Sequence, residues 1–204
     1  KTTAYQFNNT EHAANLFGLK EFGNIYSRLG NPTVGALEAR LTALEDGAMC
    51  VALSSGTSAV MYSLINIMSQ GHNFITANQL YGGTYTMFDN FLPEYGIAAK
   101  KVDITDLVAV ESAVNDKTRA IYCETITNPG LVVADISALA EIAHSKGIPL
   151  IVDATFTTSA IMKPFDFGAD IVVYSLTKWM SGHGRVIAGA VIEKGGFEWG
   201  NGNF

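Results

Sequence analysis

The sequence predicts an α/β fold in which helices cover both faces of a mostly parallel sheet. First, segments with strand patterns and segments with helical patterns alternate along most of the 204 residues. Second, the predicted strands are continuous apolar runs, which is typical of parallel strands buried on both faces. Third, 48% of the residues are hydrophobic and 16% are charged, which is enough apolar content for a large core.

The first 30 residues are polar and contain several glycines, without helical or strand periodicity. We therefore predict an extended N-terminal arm or loop over residues 1–30 and a main domain over residues 31–204. The domain opens with a helix, because Asn31 is a suitable N-cap residue and Pro32 suits the first helical position. Apolar residues with helical spacing follow, and Gly47 is placed to end this helix.

The remaining elements follow the same two patterns. Strands are predicted at the short apolar runs 48–53, 73–77, 98–103, 119–124, 149–153, 170–175 and 186–192. Helices are predicted from the serine-rich turn after the first strand to the residue before Gly71, and at residues 83–95, 106–115 and 135–146. Asp135 suits the N-cap of the last predicted helix, and Gly147 suits its end.

Composition argues against several classes of function. The formal net charge is −6 and no run of Lys or Arg occurs, so we expect no nucleic-acid binding. No apolar run is long enough to cross a membrane, and the first twenty residues do not resemble a secretory signal. Cys50 and Cys123 lie in apolar runs, which predicts two buried free thiols in a reducing cytoplasm. The four histidines lie far apart, so we expect no metal site.

Lys178 is the first candidate for chemistry. It follows the apolar strand at 170–175 directly and is surrounded by hydroxyl residues, glycines and a histidine. A lysine in such a place can act as an amine nucleophile toward an aldehyde. Ser175 and Thr177 could donate hydrogen bonds to an anionic group beside it. The alternative is a surface lysine that simply follows a strand.

A turn rich in hydroxyl groups at residues 53–59 joins a predicted strand to a predicted helix. The backbone amides of Gly56 and Thr57, the hydroxyl of Ser55 and the positive end of the helix dipole would bind a phosphate. The turn lacks the Gly-Lys-Ser/Thr ending of a P-loop, so a nucleoside triphosphate is not implied. The alternative is an ordinary serine N-cap.

Three further residues follow predicted strands or the loops next to them. Asp153 ends a buried strand, where a carboxylate needs a partner such as a pyridinium N–H, although it could instead cap a turn. Tyr81 precedes two glycines and could stack on a planar ring, or could lie in an ordinary helix-start loop. Asn128 could donate to a ring oxygen, but Asn-Pro-Gly is also a good turn sequence. All these groups fall at one expected edge of the sheet, where a single phosphorylated aldehyde cofactor would use them together.

Residues 22–33 carry a resemblance to a known family. The segment from Phe22 to Arg28 (FGNIYSR), followed by residues 31–33 (NPT), is similar to the N-terminal signature of the Cys/Met-metabolism family of pyridoxal-phosphate (PLP) enzymes. The resemblance runs from about residue 22 to the end of the chain and implies the fold-type I architecture. It also implies that Tyr26 and Arg28 reach across a dimer interface to the cofactor phosphate of a neighbouring subunit.

The same resemblance implies a role for each candidate residue. Lys178 matches the Schiff-base lysine, and its freed amine would move the α-proton. Asp153 matches the partner of the pyridinium nitrogen, and Tyr81 matches the ring-stacking tyrosine, which is also a candidate acid or base. The phosphate contacts and the contact to the ring's phenolic oxygen match these residues: Ser55, Gly56, Thr57, Ser175 and Thr177 for the phosphate, and Asn128 for the oxygen. Glu124 falls in the family's Glu-Thr…Asn-Pro run, where we assign it a supporting role.

Within the family, the chain is most similar to the branch that converts O-acetylhomoserine and sulfide to homocysteine and acetate, a step of methionine and cysteine biosynthesis. Methionine γ-lyase and cystathionine γ-synthase or lyase activities of the same family are the alternatives. A domain that binds a phosphorylated ligand without catalysis is the non-enzymatic alternative. The resemblance implies a dimer of catalytic pairs, doubled to a tetramer, and a C-terminal domain that binds the substrate carboxylate. That domain is absent from this sequence, which opens without Met, so we expect a fragment or a cleaved chain.

Overall fold

Seven strands form one sheet in the computed structural model, which describes residues 2–204. The strands are β1 (Met49–Leu53), β2 (Asn73–Ala77), β3 (Ala98–Val102), β4 (Thr118–Glu124), β5 (Leu150–Asp153), β6 (Ile171–Tyr174) and β7 (Gly189–Glu193). Their order in the sheet is β1-β7-β6-β5-β4-β2-β3. Only β7 runs antiparallel to its neighbours, so the other strands all point the same way. The prediction of a mostly parallel sheet is confirmed.

Helices connect the strands and cover the sheet. They are α1 (Thr10–Phe17), α2 (Pro32–Glu45), α3 (Gly56–Ile65), α4 (Gly82–Thr86), α5 (Leu107–Ala113), α6 (Ile136–Ser145) and α7 (Thr158–Ile161). A π-helical turn at Met87–Phe91 and a 3₁₀ turn at Leu92–Tyr95 continue α4, and further 3₁₀ turns lie at Pro164–Phe167 and Trp179–Ser181. Every residue of β2 and of β6 is buried, so both faces of the central sheet are covered.

The predicted helix caps are largely confirmed. The Asn31 side chain accepts hydrogen bonds from the backbone N–H groups of Thr33 and Val34 at the start of α2. The Asp135 side chain accepts from Ala138 at the start of α6. The end of α2 differs, because Asp46 and not Gly47 adopts the left-handed conformation, at φ 57°. A carboxyamide or carboxylate residue tolerates this conformation better than most residues other than glycine.

Residues 1–30 are not wholly extended, and Lys1 lies outside the described residues. Helix α1 forms within the predicted arm, and the side chain of Asn9 caps it by accepting from the N–H of His12 at 2.8 Å. Leu16 is its one buried residue. The helix has eight residues, which is shorter than the window of about 11–18 residues in which helical periodicity is recognised.

Two other predicted boundaries are wrong. Helix α3 ends at Ile65, although Ile67 and Met68 were expected to continue its apolar face to Gly71. Both side chains still pack on the core, because the turn that follows α3 carries them inward. Strand β7 begins at Gly189 and not at residue 186, and Val186 and Ile187 are exposed. Apolar residues therefore predicted a longer helix α3 and a longer strand β7 than the structure has. At these positions, contacts with the rest of the fold determine the backbone conformation.

The burial of the sheet predicts unequal effects of one substitution at two isoleucines. Ile151 in β5 is 0% exposed, and Ile161 at the end of α7 is 78% exposed. Ile151→Ala should lower the free energy of unfolding by about 2–5 kcal/mol, because it leaves a cavity in a packed core. Ile161→Ala should change it by less than about 0.5 kcal/mol. Urea unfolding at one pH measures both, and equal midpoints for the two variants would contradict this packing.

Candidate functional site

A cavity of about 660 Å³ opens at the carboxyl ends of the parallel strands. It is lined by all the predicted residues that follow these strands: Ser55, Gly56, Thr57, Tyr81, Asn128, Asp153, Ser175, Thr177 and Lys178. They come together because β1, β4, β5 and β6 point the same way, so their ends meet at one edge of the sheet. We call this space the strand-end cavity.

The N-terminus of α3 forms one end of the cavity. Ser55 is the N-cap, and its hydroxyl oxygen accepts from the N–H of Ser58 at 3.0 Å. Gly56 and Thr57 follow, and the first N–H groups of a helix have no acceptor within it. A Cβ atom on Gly56 would lie 2.5 Å from the Cβ of Ser175, so only glycine permits this close packing. The amides and the helix dipole together suit an anion.

The two hydroxyl residues before Lys178 are placed differently. The N–H of Ser175 donates to the hydroxyl of Thr155 at 2.8 Å, while the Ser175 side chain packs where Gly56 lacks one. The Thr177 hydroxyl donates to the carbonyl of Ala188 at 3.1 Å and accepts from its N–H at 3.1 Å. Thr177 thus fixes the loop before β7 with the same hydroxyl that was predicted to contact a phosphate. Its contact with a phosphate stays a prediction.

Lys178 lies in the loop that follows β6 and lines the strand-end cavity. Its backbone N–H donates to the carbonyl of Ser175 at 3.1 Å, and a 3₁₀ turn starts at the next residue. The ion pairs found among residues 2–204 do not involve its ammonium group. No carboxylate among these residues therefore holds the Lys178 ammonium group in an ion pair, and its reaction with an aldehyde stays a prediction.

Asp153 lies at the end of β5, in the floor of the cavity. Its Oδ1 accepts from the N–H of Thr155 at 2.9 Å, and its Oδ2 accepts from the hydroxyl of Tyr122 at 3.4 Å. Burial raises the pKa of Asp153, and these hydrogen bonds oppose the shift. No ion pair within residues 2–204 supplies it with a cation. A cationic group in the cavity would therefore stabilise this carboxylate.

Glu124 links two of the predicted residues to each other. It ends β4 beside Asp153, is 5% exposed and lines the cavity. Its Oε1 accepts from the N–H of Tyr81 at 2.8 Å, and its Oε2 accepts from the N–H of Asn128 at 3.0 Å. Burial, with a contribution from the charge of Asp153, raises the pKa of Glu124 to about 7 in spite of these bonds. The sequence alone assigned this residue only a supporting role.

Tyr81 stands at the mouth of the cavity, at the start of α4. Its side chain is 47% exposed, and a Cβ on Gly83 would lie 2.7 Å from the ring carbon Cε1. The glycine therefore lets the ring lie against the first turn of the helix. The ring lines the cavity, and its stacking on a planar ligand stays a prediction.

Tyr26 and Arg28 do not line the cavity. The guanidinium carbon of Arg28 lies 5.5 Å from the centre of the Tyr26 ring, and Tyr26 forms a β-bridge with Ala4. The structure thus places these two residues together, away from the other candidates. Their contact with a neighbouring subunit stays a prediction.

Several residues of the site were not identified from the sequence. Thr155 hydrogen-bonds both Asp153 and Ser175, and an Asp followed two residues later by Thr is a pattern from which this turn could have been inferred. Phe156, Trp179 and Ile187 add an apolar part to the cavity lining. No sequence pattern distinguishes them, because their role depends on where the loops fold.

Two features, a metal-binding group and a membrane-spanning helix, are not found within residues 2–204. No group of three or more His, Cys, Asp or Glu side chains there is arranged to hold a metal ion. In the same part of the chain, no helix has both the length and the apolar character that a membrane crossing requires.

Comparisons with known proteins agree on one family. The family model for Cys/Met metabolism PLP-dependent enzymes matches residues 1–203. The chain is 48% identical over 204 residues to O-acetyl-L-homoserine sulfhydrylase of Leptospira meyeri, covering 100% of this chain and 46% of that protein. It is 44% identical over 199 residues to homocysteine synthase of Schizosaccharomyces pombe, covering 97% and 46%. The chain thus spans about half the length of these curated relatives.

Solved structures show the same similarity. A crystal structure described as an O-acetylhomoserine (thiol)-lyase from Campylobacter jejuni, containing a pyridoxyl-lysine monophosphate, matches with a TM-score of 0.91 and 42% identity over 96% of this chain and 49% of that one. A cystathionine γ-lyase from Lactobacillus plantarum in complex with L-serine matches with a TM-score of 0.86 and 37% identity, over 95% and 48%. The predicted family and fold are confirmed.

The raised pKa of Glu124 predicts a pH dependence of stability. Because the folded state favours the protonated carboxyl, this contribution is complete below pH 4.5 and is lost as the pH rises through about 7. Between about pH 5 and about pH 8 the unfolding free energy of the wild type should fall by about 2 kcal/mol relative to Glu124→Gln. Urea unfolding of both proteins across this range is the measurement, and parallel pH curves would contradict the shift.

Proposed function

Because the chain belongs to the Cys/Met metabolism PLP-dependent enzyme family, we propose that it holds pyridoxal 5′-phosphate in the strand-end cavity and converts O-acetylhomoserine and sulfide to homocysteine and acetate. One observation carries the proposal: an amine without an ion partner, Lys178, and a half-buried carboxylate without a cation, Asp153, share a cavity with the N-terminus of α3. The names of the relatives from Leptospira meyeri and Schizosaccharomyces pombe support the choice of reaction.

The residues present fit the cofactor at each of its reactive parts. A phosphate would bind at the free amides of Gly56 and Thr57, where a Cβ atom on the first would clash. Asp153 would face the ring nitrogen, because a protonated pyridine supplies the cation that the carboxylate lacks. Lys178 would carry the cofactor covalently, and Tyr81 would stack on the ring.

Each of these residues would contribute a definite step to the reaction. When bound, the cofactor supplies a protonated ring that withdraws electrons from the α-carbon of an attached amino acid. The Nζ of Lys178, once the amino group of the substrate has replaced it on the cofactor, would take the proton from that α-carbon. The carboxylate of Asp153 would hold the proton on the ring nitrogen through a hydrogen bond. The hydroxyl of Tyr81 would move a proton at the β-carbon or assist departure of acetate.

The apolar part of the cavity would support this chemistry. Phe156, Trp179 and Ile187 line the space next to Lys178 and offer no hydrogen bonds to water beyond the Trp179 indole N–H. These side chains are 39%, 67% and 74% exposed, so they border an open entrance to the cavity. A small nucleophile such as sulfide would reach Lys178 through this entrance.

A second enzymatic candidate is a C–S lyase of the same family. The similarity to the cystathionine γ-lyase from Lactobacillus plantarum favours it, and the cofactor residues would serve either reaction. A binding domain without catalysis is the third candidate. It gives no reason for a lysine and an aspartate without ionic partners to share the cavity with an anion-binding turn.

We also propose that the protein is a homo-oligomer in the cytoplasm. A dimer of catalytic pairs, doubled to a tetramer, would let Tyr26 and Arg28 reach the cofactor phosphate of a neighbouring subunit, since both lie outside the cavity of their own chain. The buried free thiols of Cys50 and Cys123 are compatible with a reducing compartment.

Replacing the proposed cofactor lysine gives a direct test. Borohydride reduction of the protein with PLP should place a pyridoxyl group on Lys178, and Lys178→Ala should lose this adduct completely. Turnover should fall by roughly 10²–10⁴-fold, because the proton transfer loses its base. Lys163→Ala is the control, since Lys163 pairs with Asp46 on the surface and should not affect labelling. Peptide mass mapping reads out the site, and an unchanged adduct in Lys178→Ala would disprove the assignment.

Product analysis separates the two enzymatic candidates. With O-acetylhomoserine and sulfide, the proposed activity yields homocysteine and acetate in equal amounts. Methionine or cystathionine alone should give at least about tenfold lower kcat/KM, which corresponds to about 1.4 kcal/mol of transition-state stabilisation. Rapid release of a 2-oxo acid and ammonia from methionine or cystathionine would favour the lyase instead. The assay uses the protein as its host cell produces it, since the chain spans about half the length of its curated relatives.

A further inference from the structure

We propose that Glu124 is a positioning residue that fixes Tyr81 and Asn128 relative to the bound cofactor through two backbone hydrogen bonds. The inference rests on the proposed function, because it assigns a purpose to Glu124 only when PLP occupies the strand-end cavity. It concerns a residue that would not itself touch the reacting atoms.

The geometry that carries the proposal is a carboxylate shared between two loops. Glu124 ends β4, and its two oxygens accept from Tyr81 N at 2.8 Å and from Asn128 N at 3.0 Å. Tyr81 lies between β2 and α4, whereas Asn128 lies in the loop after β4. One rigid, planar group therefore sets the distance between the loop that would stack on the ring through Tyr81 and the loop that would contact the ring oxygen through Asn128.

No other group within residues 2–204 performs this task for Tyr81. Tyr81 is the N-cap residue of α4, its side chain makes no capping hydrogen bond, and its backbone N–H donates to the Glu124 carboxylate. Losing this acceptor would leave the N–H without its hydrogen-bond partner, which is unfavourable. The backbone of Tyr81, and with it the direction of its ring, is thus tied to the position of the Glu124 carboxylate.

The choice of glutamate is itself informative. Glu124 is 5% exposed, lies beside Asp153 in the neighbouring strand and has no cation paired with it among the described residues. Burial and the charge of Asp153 disfavour its ionised form. Glutamine would avoid this electrostatic cost, but it has one acceptor oxygen where two N–H donors need one each. The requirement for two acceptors explains why a carboxylate stands here.

Glutamine at this position should therefore disturb the cofactor more than the fold. At pH 8.5, where the wild-type carboxylate is mostly ionised, Glu124→Gln would turn an NH₂ group toward one of the two N–H donors. Losing one charge-assisted hydrogen bond predicts that the Kd for PLP rises by about tenfold. The visible circular-dichroism band of the bound cofactor should weaken by at least about twofold, because that band reports how the ring is held.

Glu45→Gln is the matched control. Glu45 is also a buried glutamate, 1% exposed, but it accepts from the hydroxyl of Tyr174 and does not line the cavity. Glutamine keeps that acceptor, so Kd and the dichroism band should stay within about twofold of the wild type. Wild-type values for both readouts in Glu124→Gln would overturn the proposal, as would an equal change in both variants, which would indicate a general effect of buried glutamates.

Amide hydrogen exchange of the wild type supplies a test that needs no variant. The N–H groups of Tyr81 and Asn128 should exchange at least about tenfold more slowly than unprotected amides in the protein with PLP. Exchange of both amides at the unprotected rate would overturn the proposal even if Glu124→Gln failed to fold. Failure of the wild type to bind PLP would instead refute the proposed function, so the two ideas fail in different experiments.

Discussion

The parallel register of β4, β5 and β6 is the constraint on which the site depends. It sets Glu124 beside Asp153 and Asp153 beside Val173, one strand apart at each step. The backbone ladder continues past the strand ends, where Thr125 donates to the carbonyl of Asp153 and Ala154 donates to that of Val173. Because these bonds fix the backbone up to the last strand residue, the side chains that follow are carried by a rigid edge. β1 joins this edge through the reversed strand β7, which brings the N-terminus of α3 to the same cavity.

This edge concentrates charge that the protein alone does not neutralise. Asp153 and Glu124 are both shifted by burial toward their protonated forms, and Lys178 has no carboxylate partner among the described residues. Such an arrangement destabilises an empty site and favours a ligand with complementary charges. A phosphorylated pyridine aldehyde has an anion for α3, a cation for Asp153 and a carbonyl for Lys178. The proposed roles of these residues around the cofactor follow from the same electrostatic mismatch.

The fold and much of the site could be predicted from the sequence for a physical reason. Apolar runs mark strands buried on both faces, and polar residues directly after such runs must meet at the carboxyl edge, which is how Asp153 and Lys178 were identified. What could not be predicted depends on tertiary contacts. The bidentate role of Glu124, the engagement of the Thr177 hydroxyl by Ala188 and the apolar wall at Phe156 follow from how loops from distant parts of the chain pack. Helix α1 was not predicted because its eight residues are too few for a helical period to be recognised.

The most direct test of the central claim is a crystal structure of the protein after borohydride reduction with PLP. We expect density continuous from the Nζ of Lys178 to the cofactor, the phosphate at the amides of Gly56 and Thr57, and the ring nitrogen within hydrogen-bonding distance of Asp153. Cofactor attached elsewhere, or a ring whose nitrogen faces away from Asp153 with the phosphate distant from α3, would contradict the account of how the strand ends assemble this site.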